Sequence, residues 1–331
     1  MVIVFQSKPS ILACGAVAGP LEKKSVFYSY FDSVVDDERW GQKTNEQGHS
    51  KMIQEACDIV MQKANIKNLD VDFFLSGDLV NQMTPTNFAA REIAVSFIGM
   101  FSACATSVSS VIVASLLTEL GASQHAIAGA SSQHNSVERQ FRYPINYGGP
   151  KPATAQWTVT AAGYALIGKH NPKYPSIVAA TVGKVIDYGQ TDPLHMGGAM
   201  APAAYDTITN HLKKRNQKIT DYDLIMTGDL GKIGLKILKA MFAQTGTKQQ
   251  ELQLFRDAGA EFYGEDESFL AGASGAGCSA AVYYSYIDQQ LKSGRYKKVL
   301  LVATGALLSP LSFQQGESIP CTAHAIEITI E

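Results

Sequence analysis

Positive charge is never concentrated in this chain. Across 331 residues no run of lysine and arginine is longer than three, and the formal net charge is −2. That excludes nucleic-acid binding of the kind driven by phosphate neutralisation. Cysteine is sparse and scattered: Cys14, Cys57, Cys104, Cys278 and Cys321 form no CxxC pair and no zinc-type spacing. A disulfide framework and a zinc site are both excluded, and a reduced, intracellular chain is expected, with no metal and no cofactor. A secretory leader is also missing, because Lys8 and Pro9 follow the apolar Met1–Phe5 at once and no small-residue cleavage pattern comes after. The longest uncharged stretch, Ile93–Thr118, contains eight serines and threonines with Gly99 near its middle. A membrane span would be more uniformly apolar, so this stretch reads as the buried centre of a protein without a transmembrane helix. No low-complexity linker divides the chain.

What is present is core material. Hydrophobic residues make up 46% of the chain and charged residues 18%, enough for a large interior. The length suits two domains of about 150 residues or one large duplicated unit. Self-comparison favours duplication. Asp70–Leu79 reads DVDFFLSGDL and Asp221–Leu230 reads DYDLIMTGDL, an offset of 151 residues. Each copy has an acidic start, a short apolar strand and a small-Gly-Asp turn. In the first, Ser102-Ala103-Cys104 then opens a helix over Ala105–Glu119; in the second, Gly272-Ala273-Ser274-Gly275 opens one over Gly277–Leu291. Gly121 and Gly294 stand where a left-handed residue commonly ends a helix. Their offset is 173, so the second half carries 22 extra residues within Gly231–Ser274. Matching strands follow at Ala126–Ala130 and Val299–Thr304.

A repeated strand–loop–helix–strand unit predicts mainly parallel sheets with right-handed crossovers. Two copies predict an α/β fold of two pseudo-symmetric halves, with helices between and outside two sheets. The helix after Cys104 is apolar around most of its surface and belongs inside. In its partner, Asp288, Gln289, Gln290 and Lys292 predict a far end that meets water. Gln47–Ala64 reads as an amphipathic helix, and Trp157–Gly168 and Ile177–Val185 as strands. The stretch Asp187–Thr209 is too rich in small and turn residues for an ordinary helix start.

Three segments could carry chemistry. A cysteine at the first turn of a buried helix can be activated by the helix dipole, or the same N–H groups can hold a carboxylate. Cys104 sits there, and a small buried packing residue is the plainer reading. The connection Ser131–Thr160 gathers His134, Arg139, Arg142, Tyr143, Tyr147, Lys151 and Trp157 after a strand. Guanidinium groups beside rings suit a flat anion, although an interface loop would use the same residues. The Met-Gly-Gly-Ala-Met core at Met196–Met200 suits close packing against a site or a neighbouring subunit.

Three stretches resemble one family. ERQFRYP…YGG.KP.TAQWTVT (Glu138–Thr160), MGGAMAPAA (Met196–Ala204) and IPCTAHAI (Ile319–Ile326) resemble the stage V sporulation protein AD family, in order from about Gly77 to Glu331. Those proteins are similar to thiolases and ketoacyl synthases. The resemblance implies a thiolase-like, five-layered αβαβα fold, with a first half over residues 1–168 carrying Cys104 and a second over 169–331. It implies binding of dipicolinic acid (pyridine-2,6-dicarboxylate), free or as its calcium chelate, during its passage into or out of the spore. It also implies membrane partners from the same operon, a location peripheral to the spore inner membrane and, by analogy with thiolases, a homodimer.

In the wider superfamily the cysteine matching Cys104 accepts an acyl group, with histidines from the second half as its partners. Here those positions hold Gly228-Asp229 and Glu267-Ser268-Phe269-Leu270. An aspartate near a thiol raises its pKa, the wrong direction for catalysis. Around the cysteine the chain reads CATSVSSV, where close relatives are expected to carry a second cysteine and an acidic residue. The expected activity is therefore non-catalytic binding, in a pocket of Cys104, Asp78, His134, Arg139 and Arg142. One alternative is an acyltransferase using Cys104 with Cys321 and His324. The other is a scaffold for a membrane channel, without a ligand of its own.

Overall fold

The duplicated segments explain themselves in the structure. A computed structural model describes residues 1–141 and 151–331. In each repeat the first aspartate closes a short turn: Asp70 accepts the Lys67 N–H and Asp221 the Lys218 N–H, both at 2.8 Å. The second aspartate pins the start of the neighbouring strand. Asp72 accepts the N–H groups of Gln124 and His125, and Asp223 those of Lys297 and Lys298. Paired backbone donors at a strand entrance would otherwise be left without partners.

Ten strands form the main path of two five-stranded sheets, and the short strands Val2–Val4 and Ser33–Val34 pair beside it. The first half supplies β1 (Ser10–Ala18), β2 (Phe73–Ser76), β3 (Phe97–Gly99), β4 (His125–Ser132) and β5 (Ala161–Gly168). The second supplies β6 (Ser176–Val182), β7 (Leu224–Thr227), β8 (Phe255–Asp257), β9 (Lys298–Ala306) and β10 (Cys321–Thr329). The spatial order is β3-β2-β4-β5-β1 in one and β8-β7-β9-β10-β6 in the other, the same order twice. In each sheet four strands point one way and the fifth, β5 or β10, runs against them. The sheets are thus mixed, not mainly parallel in their pairing. They meet edge to edge where Ser10 pairs with Ser176.

Helices complete the layers. α1 (Asn45–Ala64) and α2 (Thr84–Ile93) cover the outer face of the first sheet, where Met52, Ile53, Ala56 and Val60 pack on Ala13, Phe74, Ile127 and Leu166. α3 (Thr106–Glu119) lies in the middle, and the eight-residue α4 (His134–Phe141) follows β4. α5 (Met196–Arg215) and α6 (Gly231–Gln244) cover the second sheet with their own apolar cluster. α7 (Ala276–Val282) continues through a π-helical turn, Tyr283–Ile287, to Lys292 and shares the central layer with α3. Helix, sheet, helix, sheet, helix make the five layers of a thiolase-like fold. Among the described residues no helix is long and apolar enough to cross a membrane.

Two expectations need correction. Asp288 and Gln290 are buried, and Asp288 pairs with Lys292 at 2.7 Å, so only Gln289 and Lys292 face water at that helix end. The small-residue stretch at Met196–Ala204 is helical from its first residue. Its glycines serve a crossing: a Cβ on Gly197 would stand 2.2 Å from the Leu230 carbonyl, and one on Gly234 2.7 Å from that of Gly197. Gly197 and Gly234 therefore let α5 and α6 touch backbone to backbone.

Candidate functional site

Where the two halves face each other above the central helices, side chains from loops and helices of both halves line a cavity of about 370 Å³. Cys104 lies in its wall, in the turn just before α3, between Ala103 in a left-handed conformation (φ 48°) and Ala105 at the helix cap. Phe101 and Leu79 join it from the first half. Val137, Glu138 and Phe141 of α4 form one side, and Leu194, Met196 and Met200 at the start of α5 form another. Ser274, Gly275 and the segment Ala306–Ser309 complete it. The wall is mostly apolar, and Glu138 is its one charged member among the described residues.

Behind Cys104 stands Asp229, fully buried. Its carboxylate accepts hydrogen bonds from the Thr304 hydroxyl (2.9 Å), the Ser274 hydroxyl (3.1 Å) and the Gly275 N–H (3.1 Å). The Cys104 thiol faces the same carboxylate. Burial pushes the thiol well above its ordinary pKa, and the Asp229 charge pushes it further. Burial also raises the Asp229 carboxyl, against the lowering effect of its donors. Nothing in this arrangement lowers a thiol pKa enough to offset these two causes, so the proton stays on sulfur.

The two copies of the repeat part company here. Asp78, the counterpart of Asp229, turns to its own loop, accepting from the Val80 N–H (2.7 Å) and the Thr86 N–H (3.0 Å) and from the Thr86 hydroxyl. It fastens the start of α2 and does not line the cavity. Burial lifts its carboxyl to about 6.

The other expected residues lie as follows. His134 donates from Nδ1 to the Thr158 carbonyl (2.9 Å), and its ring stacks on Trp157 at 4.3 Å. It supports the wall without entering it, and burial lowers its pKa. Arg139 points away from the cavity and pairs with Glu46 of α1. Arg142 lies outside the described residues. Strand alternation separates Cys321 from His324. Cys321 belongs to the outer cluster with Ala323 and Ala325, and burial pushes its thiol up to about 12. His324 accepts the Gly183 N–H at 3.2 Å through Nδ1, and burial holds its pKa down to about 4. Of the expected residues that the structure describes, Cys104 alone lines the cavity. Asp229, Ser274, Thr304 and the Met196–Met200 pair were not chosen from sequence as site residues. The signal for Asp229 was its place in the repeat, opposite the half that carries the cysteine.

Comparison with known proteins agrees with this geometry. The family profile described as stage V sporulation protein AD (SpoVAD) matches residues 1–329. The stage V sporulation protein AD of Bacillus subtilis (strain 168) is 44% identical over 327 residues, covering 98% of this chain and 95% of that protein. Among solved structures, OleA of Xanthomonas campestris superposes with a TM-score of 0.62 at 14% identity, over 99% of each chain. A cerulenin-bound form of that protein gives the same TM-score over 99% of this chain and 100% of its own. The 3-oxoacyl-[acyl-carrier-protein] synthase III of Aquifex aeolicus VF5 gives 0.58 at 12% identity, over 97% and 99% of the two chains. At such identities the structural likenesses speak for the fold alone. Sequence and fold together show that the chain belongs to the stage V sporulation protein AD family.

Proposed function

We infer that this protein binds a small aromatic dicarboxylate, pyridine-2,6-dicarboxylate, without covalent chemistry, and assists its passage into or out of the spore. One observation carries the reading: Asp229 stands against the Cys104 thiol, where condensing relatives place a neutral base. A nucleophile needs its proton removed in the transition state, and a buried, fully bonded carboxylate beside it works the other way. The cavity suits a flat ring, since Met196, Met200, Phe101 and Phe141 offer thioether and aromatic contacts. The ligand enters this proposal free or as its calcium chelate, beside a wall in which Glu138 accepts the Thr158 hydroxyl at 2.9 Å. Work with membrane proteins of the same operon, a position at the inner membrane surface and dimerisation belong to the same proposal.

The test is isothermal titration of the purified chain with pyridine-2,6-dicarboxylate, with and without calcium, beside an acyl-coenzyme A thioester. Dicarboxylate heat that weakens in Cys104→Ala or Met200→Ala is the expected result. A thioester adduct on Cys104, with no dicarboxylate heat, would return the chain to the acyltransferases.

A further inference from the structure

Ala103, next to Cys104, is a non-glycine residue held left-handed, at φ 48°. The second half approaches α7 with glycines instead, Gly272 and Gly275, at φ 104° and 106°. A residue with a Cβ keeps such a conformation only where its surroundings impose it. Here one side chain does so. The Thr106 hydroxyl, fully buried at the start of α3, accepts the Ser102 N–H at 3.0 Å and donates to the Ala103 carbonyl at 2.7 Å. The 173-residue offset of the repeat sets Ser279 opposite Thr106. That hydroxyl goes chiefly to Ser107, at 2.7 Å, with a longer 3.4 Å contact to the Ala276 carbonyl. The tight staple thus belongs to the half that carries the cysteine. Beside it, the end of β9 touches both members of the cysteine–aspartate pair. Thr304 donates to Asp229 at 2.9 Å, and a Cβ on Gly305 would stand 2.4 Å from the Ser102 carbonyl. The turn fixed by Thr106 therefore rests on the residue adjoining the one that holds Asp229.

We propose that Thr106 is a positioning residue: its hydroxyl holds Ala103 left-handed and thereby keeps the Cys104 thiol on Asp229 across the two halves. This deepens the non-covalent reading above and rests on it, because it names what keeps the sulfur of the cavity from acting as a nucleophile. Without the staple the turn is free to relax, the sulfur moves off the carboxylate, and the charge that holds its proton acts on it less. Among the described residues, three titratable groups face the thiol: Asp229 behind it, the Cys278 thiol from α7, and Glu138 from the α4 side of the cavity. Of these, Asp229 is the hydrogen-bond partner.

The experiment follows the pH midpoint for alkylation of Cys104 by iodoacetamide in the full chain, read by peptide mass spectrometry. Thr106→Val keeps the shape and removes the hydroxyl. Its midpoint is expected to fall by about one unit, a tenfold rise in thiolate below the midpoint. Thr106→Ser keeps the hydroxyl and should hold the native midpoint. Ala103→Gly removes the need for the staple, so Ala103→Gly combined with Thr106→Val should return most of the way to the native value. In the Asp229→Asn chain the valine change should move the midpoint no further, because both variants remove the same interaction. Thr118→Val, which takes a hydroxyl from the far end of α3, is the control and should do nothing. An unchanged midpoint in Thr106→Val would overturn the proposal. So would an equal fall in the Asp229→Asn chain, since exposure of the sulfur and not its place beside Asp229 would then have changed. Labelling of the buried Cys57 or Cys278 in Thr106→Val would report general loosening and would also count against it. Isothermal titration with pyridine-2,6-dicarboxylate separates the two readings. No heat from the native chain, with the midpoints as expected, sinks the ligand assignment alone. Native heat with midpoints that ignore Thr106 sinks the positioning role alone.

Discussion

A carboxylate has room for about four hydrogen-bond donors, and at Asp229 three places are taken by Thr304, Ser274 and Gly275. The Cys104 thiol fills what remains. Replacing this one charge should therefore change the reactivity of the sulfur more than its position. In Asp229→Asn the pH midpoint for alkylation of Cys104 by iodoacetamide is expected to fall by about one unit or more, since one unit is a tenfold change in thiolate below the midpoint. The same change sets an amide N–H against the Gly275 N–H or a hydroxyl proton, so stability should drop by about 1–3 kcal/mol. A pH–rate profile and a urea titration check both. A midpoint left where it was would mean that burial alone holds the proton. The sequence made Asp229 visible as the counterpart of Asp78 and as a departure from histidine. It could not show that one aspartate turns to its own loop and the other to the opposite half, because the choice is made by tertiary contacts.

Elements were legible where a local rule governs them, and less so where distant backbone decides. The repeated strands, the glycines that end α3 and the central helix, and the amphipathic α1 all follow from nearby residues. The start of α5 did not, because Gly197 and Gly198 weaken a helix on their own; Gly197 is present for the crossing with α6, and a Cβ on Gly198 would meet the His195 ring at 2.5 Å. Glu22 was invisible for a similar reason. It sits in the short turn Pro20–Lys24 after β1, yet it joins three elements. Its Oε1 accepts the Thr160 N–H ahead of β5 (2.9 Å) and the Tyr263 hydroxyl (3.2 Å), while Oε2 is buried without a hydrogen-bond partner among the described residues. Burial, opposed by these bonds and reinforced weakly by Glu38, raises the carboxyl from 4.5 to about 7. The folded state thus keeps a proton that the unfolded chain releases. Its contribution is complete below about pH 4.5 and is lost as pH rises through about 7. The shift corresponds to about 3 kcal/mol. Glu22→Gln keeps the neutral shape, so its stability relative to the native chain should improve by about that amount between pH 4.5 and pH 8 in urea titrations. A difference that stays level over this range would show that the carboxyl is ionised throughout.

At the scale of the whole molecule, one repeated ten-residue segment predicted two pseudo-symmetric halves with helices between and outside two sheets, and the family resemblance implied the five layers. The spacing between layers was implied by neither, because it is set by which residues are small at the contacts. The central helix and the first sheet meet at Gly163 of β5. A Cβ there would stand 2.3 Å from the backbone carbon and oxygen of Ala280. Ala280 has little freedom to retreat. Ser107 and Ser279 share a hydrogen bond at 2.7 Å where α3 crosses α7, and Tyr284 donates to the Ser107 carbonyl. On the far side Tyr283 donates to the Met226 carbonyl of the second sheet at 2.9 Å. One methyl group at position 163 must therefore displace the helix, the sheet or both, and interiors this closely packed transmit such strain widely. Gly163→Ala is expected to cost about 3 kcal/mol. Gly121→Ala makes the comparison, because that glycine has a left-handed φ of 72° with nothing within 4 Å of a Cβ. Its cost is conformational alone, about 1 kcal/mol. Urea midpoints for the two variants decide the matter. If Gly163→Ala proves no worse than Gly121→Ala, the central layer has slack, and the alignment of Cys104 with Asp229 across the two halves depends on the loops and not on the packed helices beneath them.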